Sequence, residues 1–286
     1  MVDFGSNDTL SLTSSGVLRK AFLDEIARHP DFEVGSRSTR IFEGSTKYLL
    51  DLEDHMAQFH RAESALFLPS GYEANVAIWS TVPQHGDVVV YDEYIHASIH
   101  DVYSMDGDVA PVHEMLKLTK EILPHGNAVF TIDEAHSNGL IGDNGEQRRT
   151  RLQNNIQRFY EKITGHSEWA KCVFGGILSL PTQKTWHTGS FQTPIIPLIT
   201  ELGQATKLTQ KLHEAGYQVN SVFYPIVPRD KERVRLVIHA DNTTAQIDEV
   251  VDLIMNWSRS RLADQLKRSN LLVSGEDMYQ DVAFSD

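Results

Sequence analysis

The first half of the chain alternates short β-branched or aromatic runs with stripes of helical period. Ala65-Leu66-Phe67-Leu68-Pro69, Val88-Val89-Val90-Tyr91 and Val129-Phe130-Thr131-Ile132 each have the length and composition of a buried strand. Between them the period predicts helices over 16–29, 46–60, 70–79 and 111–123. On the second of these, Tyr48, Leu49, Leu52, Met56 and Phe59 share one face and read as core. Val2 to Leu12 reads as a short strand entering a polar turn, and Gly35 to Ser45 as a polar, glycine-bounded loop. Strand–helix alternation of this kind predicts an α/β fold: a doubly wound, mainly parallel sheet with helices on both faces.

After Gly145 the pattern changes. Arg148–Ile163 is an amphipathic helix, Ile195–Ile199 a strand, and Thr206–Ala215 a helix stopped by Gly216. Strands over Tyr217–Tyr224 and Arg233–His239 and a helix over Ala245–Trp257 complete a smaller C-terminal α+β domain. The expected division is 1–147 for the large domain, 148–262 for the small one, and 263–286 for a polar, acidic tail that frays.

Composition narrows the classes of function. A formal net charge of -13 argues against nucleic acid or an anionic membrane as the main partner. The single cysteine, Cys172, excludes an internal disulfide and a cysteine metal site, and no metal site is expected. No apolar run reaches membrane-spanning length, and Met1–Leu12 lacks the cationic start and apolar centre of a signal peptide. The default compartment is the cytoplasm.

The candidate chemistry sits where predicted strands end. Asp133 follows the third run, with His136 three residues on; an acid at the carboxyl end of a parallel strand lies where open α/β sheets bind ligands. A buried carboxylate there needs a cationic partner, and a protonated pyridine nitrogen is one. The plain alternative is an Asp capping the next helix beside a surface His. Ser70-Gly71-Tyr72 opens a helix after a strand, so its backbone N–H groups make a phosphate seat or an ordinary N-cap. His96 arrives after the second run, placed to stack on a flat ring or simply to start a helix at the surface.

Together, Phe4 to Leu12, Gly35 to Gly44, Ser70 to Asn75, His96-Ala97-Ser98, Tyr103 to Asp108, Asp133 to Gly145 and Arg233 to Ala240 resemble the pyridoxal-phosphate-dependent α-oxoamine synthases, in the family's order. The resemblance implies fold type I, a homodimer with shared active sites, and condensation of an amino acid with an acyl-CoA to an aminoketone with loss of carbon dioxide. It implies pyridoxal 5'-phosphate, with Ser70, Gly71 and Tyr72 at its phosphate and His96 stacked on its ring. Asp133 would pair with the ring nitrogen and His136 with the phenolic oxygen; Arg235, assisted by Asn7, would hold the substrate carboxylate.

Two blocks expected from the family are missing. Only His100–Tyr103 separate Ile99 from Ser104, where several tens of residues normally stand. Beyond Gly142-Asp143-Asn144-Gly145 the chain runs straight into Arg148-Arg149-Thr150-Arg151, without the Thr-x-x-Lys-Ala stretch that carries the Schiff-base lysine. Lys171 precedes Gly175-Gly176, but it lies beyond the small-domain helix and has the wrong lead-in. Without that lysine the internal aldimine and the base for Cα proton removal are both gone. Three readings follow: an impaired enzyme of this lineage, a non-catalytic cofactor-binding remnant or partner subunit, and the product of a splicing variant or faulty gene model.

Overall fold

The computed structural model describes residues 1–90, 112–123, 126, 128–135, 140, 146–181 and 192–280, with side chains as far as residue 267. The chain forms two compact units, one of Leu12–Asp92 and the other of Met1–Ser11 with Glu93–Asp286.

The unit of Leu12–Asp92 carries helices α1 (Val17–Arg28), α2 (Lys47–His60) and α3 (Gly71–Thr81). Thr46 and Ser70 start α2 and α3 by accepting from the third N–H onward, Leu49 and Glu73. The loop before α2 turns so tightly that a Cβ on Gly44 would overlap the Ser38 carbonyl. That loop is held by Arg40, whose guanidinium donates twice to Glu53 at 2.7 Å and once to the Phe67 carbonyl at 3.0 Å. Glu53 in turn accepts from the Phe67 N–H at 2.6 Å. One carboxylate on α2 thus gathers the loop and the following segment. The apolar stripe expected as core is thinner than predicted: Tyr48, Leu49, Leu52 and Met56 are half-buried, and Phe59 is 61% exposed. Within α1 nothing is buried, and Phe22 and Leu23 lie in the open.

The second unit contains a compact core. Its elements are β1 (Val2–Asp3), α4 (Val112–Ile122), α5 (Glu146–Thr164), α6 (Trp169–Phe174), β2 (Leu178–Ser179), β3 (Ile195–Thr200), α7 (Ala205–Glu214), β4 (Tyr217–Gln218), β5 (Asn220–Val222), β6 (Arg233–Val237) and α8 (Thr244–Gln280). The sheet runs β2-β3-β6-β5, with antiparallel neighbours throughout. All five residues of β6 are buried, as a strand covered on both faces requires. Helices α5 and α8 close over it through Leu152, Ile156, Phe159 and Ile163 on one and Ile247, Val250, Val251 and Ile254 on the other, each set at helical spacing. Glu232 starts α7 by accepting from the N–H groups of Gln204 and Ala205 at 2.8 and 3.0 Å, a carboxylate where a helix start favours negative charge. Gly216, at φ +91, ends that helix in the left-handed conformation expected of it.

The N-terminal segment is part of this core. Strand β1 pairs in parallel with β4, Val2 opposite Tyr217 and Asp3 opposite Gln218. Phe4 then bridges two partners: its N–H donates to Gln218 at 2.9 Å, and its carbonyl accepts from Val237 at 2.8 Å. Its ring is fully buried, edge-on to Tyr217 at 5.7 Å.

Several expectations need correction. Residues 65–68, 88–90 and 129–132 are not strands, and Val88, Val90 and Val129 are more than 80% exposed. Their composition suits a sheet interior, but among the described residues no neighbouring strand pairs with them, and a strand is buried only by its neighbours. The run over Tyr217–Tyr224 divides into β4 and β5. The tail expected to fray from residue 263 is helical to Gln280, because nothing after Trp257 is a proline and Gly275 costs a helix only about 1 kcal/mol. The short helix α6 and strand β2 have no counterpart in the sequence-based prediction; six and two residues are too few to show a period.

Two outcomes are expected. Phe4→Ala lowers unfolding free energy by about 3–5 kcal/mol, read by urea denaturation of the C-terminal unit. The Glu53 carboxyl is held below its ordinary 4.5, first by Arg40 and then by the Phe67 N–H, against the opposing effect of burial. Its stabilisation is therefore complete above that ordinary value and is lost as pH falls through the lower folded value. The protection factor of the Phe67 amide against hydrogen exchange should drop over that acid range, and Glu53→Gln should abolish the drop.

Candidate functional site

Of the site residues expected from the sequence, the structure brings two into contact. Arg235 is at the middle of β6, opposite Pro197 on β3 and Asn220 on β5. Its side chain is 7% exposed, and Nη2 donates to Asn7 Oδ1 at 3.1 Å. Burial pushes the guanidinium pKa down from its usual value, yet a guanidinium stays charged at any physiological pH. A buried cation with a planar fork of donors, next to an exposed asparagine, is suited to a carboxylate.

Asn7 is held by the turn around it. Asp3 Oδ1 accepts from the N–H groups of Gly5 and Ser6, both at 2.9 Å. Burial works against ionisation of Asp3, but hydrogen bonds from the Ser6 side chain and from those two N–H groups outweigh it and keep its pKa low. The Ser6 hydroxyl accepts from the Asp8 N–H at 3.3 Å, closing the turn across Asn7. On the far side stands His239, 4% exposed, with Nε2 at 3.1 Å from both the Ser6 carbonyl and the Ser6 hydroxyl. His239 lies within the motif Arg233 to Ala240, which gives it no role; the signal available was a polar residue closing an apolar strand run.

The other expected residues fall elsewhere. Ser70, Gly71 and Tyr72 belong to the unit of Leu12–Asp92, where Ser70 Oγ accepts from the Glu73 N–H at 3.1 Å and Tyr72 is 59% exposed. Ser70 thus caps the start of α3. A Cβ on Gly71 would meet nothing within 4 Å, so the glycine is not required by local packing. Asp133, expected as a buried acid at a strand end, is exposed and accepts from the Ala135 N–H at 3.0 Å, because the segment before it is not held in a sheet. His96 and His136 lie outside the described residues. Lys171 is two-thirds exposed on α6, paired with Glu168 at 3.0 Å. A shallow cleft of about 500 Å³ at the start of α8, lined by Arg151, Asn155 and Asp241 among others, contains none of the expected site residues.

Pyridoxal phosphate needs a phosphate seat, an acid shielded from water at the ring nitrogen, and a lysine for covalent attachment. The start of α3 satisfies the first requirement. Asp133, being exposed, does not satisfy the second, and no lysine stands in the required context. The described residues do not fit the group as a covalently held cofactor.

Comparison with known proteins finds the same class of enzyme. Residues 1–103 match the family described as aminotransferase class I and II. An aminoacyl transferase, sphA, of Aspergillus fumigatus is 28% identical over 91% of this chain and 82% of its own length. An 8-amino-7-oxononanoate synthase of Emericella nidulans is 28% identical over 90% of this chain and 89% of its own. That first alignment runs over 383 positions, more than the 286 residues of this chain, so segments of the relative have no counterpart here. Among solved structures, a serine palmitoyltransferase of S. paucimobilis with a bound PLP–myriocin aldimine superposes with a TM-score of 0.68 at 18% identity, covering 90% of this chain and 87% of that one. An 8-amino-7-oxononanoate synthase of Francisella tularensis gives 0.62 at 20% identity, covering 91% and 98%. Both likenesses show the fold, the fold type I architecture expected from the motifs. With seven motifs in order, relatives along nearly its whole length and this shared fold, the chain is similar to the pyridoxal-phosphate-dependent α-oxoamine synthases.

Proposed function

We propose that the chain derives from an enzyme that joins an amino acid to an acyl-CoA, and that in this form it keeps a carboxylate clamp and has lost the ability to complete the reaction. In that reaction a bond forms between the amino acid Cα and the acyl carbon, the thioester C–S bond breaks, coenzyme A leaves as the thiol, and the carboxylate departs as carbon dioxide. Pyridoxal phosphate supplies the electron sink for the Cα carbanion when bound. The observation that carries the reading is Arg235, buried at mid-strand and hydrogen-bonded to Asn7, in a chain with no lysine in the attachment context.

Arg235 would bind the carboxylate through two parallel N–H donors, with Asn7 fixing the plane of the fork. No described residue takes the part of the base at Cα. In a chain holding the lysine block, Ser70, Gly71, Tyr72, His96, Asp133 and His136 would make the cofactor contacts named from the motifs. A cytoplasmic homodimer belongs to the same proposal. It is supported by the apolar side chains that the Leu12–Asp92 unit leaves open, Phe22, Ile41 and Phe42 among them. Among the described residues no helix is long and apolar enough to cross a membrane.

A second reading, that a splicing variant or faulty gene model removed the missing blocks, is supported by the exposed strand-like runs at 88–90 and 129–132. A transcript encoding the missing blocks would establish it.

Borohydride reduction of the chain mixed with pyridoxal phosphate should label no lysine peptide, and amino acid with acyl-CoA should release no thiol. One specifically labelled lysine would overturn the proposal. Arg235→Lys should weaken glycine binding about tenfold, equivalent to about 1.4 kcal/mol, in a chemical-shift titration of the full chain.

A further inference from the structure

We propose that His239 is the positioning residue of the carboxylate clamp, holding Asn7 in register with Arg235 through Ser6. The inference rests on the carboxylate-binding reading of Arg235 and adds a residue to that site.

The imidazole stands just beyond the end of β6 and is fixed from its backbone. The His239 N–H donates to Asn242 Oδ1 at 2.7 Å, and its carbonyl accepts from Asn155 Nδ2 at 2.9 Å. With the main chain clamped on both sides and the ring 4% exposed, the side chain has little freedom. Its Nε2 lies 3.1 Å from the Ser6 carbonyl, which can only accept, so Nε2 carries the proton. The other nitrogen, Nδ1, is buried and has no hydrogen-bond partner among the described residues, in keeping with a bare lone pair. Asp3 Oδ2 is the nearest charged atom, 3.9 Å from Nε2.

An unpaired buried acceptor is destabilising, and a leucine would fill the same space without one. What a leucine lacks is a donor for Ser6. That donor bears on the clamp because Asn7 is exposed and has little packing to fix it. The turn is tied at Gly5, whose carbonyl accepts from Asn220 Nδ2 at 3.1 Å, and at the Gly5 and Ser6 N–H groups held by Asp3. All these ties precede Ser6 Cα; beyond it the Asp8 N–H reaches the Ser6 hydroxyl, which leaves the Ser6 carbonyl itself to His239. The His239 bond is the tie at the Ser6 carbonyl, the group joined directly to the Asn7 nitrogen. Remove it, and the Asn7 peptide plane can rotate, carrying Oδ1 away from Arg235.

The test uses the full chain labelled with 15N, the Arg235 Nε–H signal assigned by its loss in Arg235→Lys, and glycine as the carboxylate probe. His239→Gln can place an amide nitrogen near the position of Nε2, whereas His239→Asn is too short to reach Ser6. In the ligand-free protein, His239→Asn should move the Arg235 signal in the direction that Asn7→Ala moves it, and His239→Gln should leave it in place. Glycine affinity should fall roughly fivefold in the first and stay within about twofold in the second, with similar thermal midpoints. Equal behaviour of the two variants, or an unmoved Arg235 signal in His239→Asn, overturns the proposal. A wild-type protein blind to glycine sinks the carboxylate reading alone, since the ligand-free comparison still decides the relay. Ring 15N shifts of His239 check the tautomer without any variant: protonated Nε2 is expected, and protonated Nδ1 with bare Nε2 overturns the assignment.

Discussion

A strand is buried only by the strands beside it, and most of what this chain can and cannot do depends on that constraint. In the C-terminal unit β6 has β3 on one side, β5 on the other and Phe4 at its end, and every one of its residues is out of solvent. That is why an arginine can be held at mid-strand, desolvated and aimed. At 129–132 the side chains are as suited to a strand, yet no described neighbour pairs with them. Asp133 consequently reaches water. The two ends of the expected site differ in the company of their backbones more than in their own residues.

The helices were legible because their apolar stripes are long: Leu152, Ile156, Phe159 and Ile163 on α5 repeat the period several times, as do Ile247, Val250, Val251 and Ile254 on α8. The strands β3 and β6 were legible for a related reason, β3 being rich in isoleucine and leucine and β6 carrying Val234, Leu236 and Val237 around its two arginines. The runs at 65–68, 88–90 and 129–132 read identically and failed. Periodicity reports what a segment would bury and is silent on whether a neighbour exists to bury it. Within the site, Asn7 and Arg235 could be named from motifs. His239 could not, because its role depends on a contact with Ser6, 233 positions away in the chain.

Likeness to known enzymes and the presence of every part those enzymes' chemistry needs are separate matters in this molecule. Relatives align along nearly the whole chain, and solved synthases share its fold. But the alignment is longer than the chain, and this sequence has no lysine in the attachment context expected from the motifs. In the proposed reading, the carboxylate clamp stands on the sheet of the C-terminal unit, whereas the cofactor contacts named from the motifs follow runs that no described strand pairs with. Substrate binding can outlive catalysis when the two are supported by different hydrophobic cores.

The bonds of Phe4 also set an order of events during synthesis. Its N–H and carbonyl are satisfied by Gln218 and Val237, and the Thr9 carbonyl accepts from Ala240. Strand β1 therefore has no partner until more than 200 further residues have left the ribosome, on the order of ten seconds or more at ordinary elongation rates. Throughout that interval an apolar segment with unpaired backbone groups is exposed beside a growing chain, the condition under which edges pair with the wrong neighbour. Closure over more than 200 positions adds little to the final free energy but places β1 among the segments most in need of a chaperone.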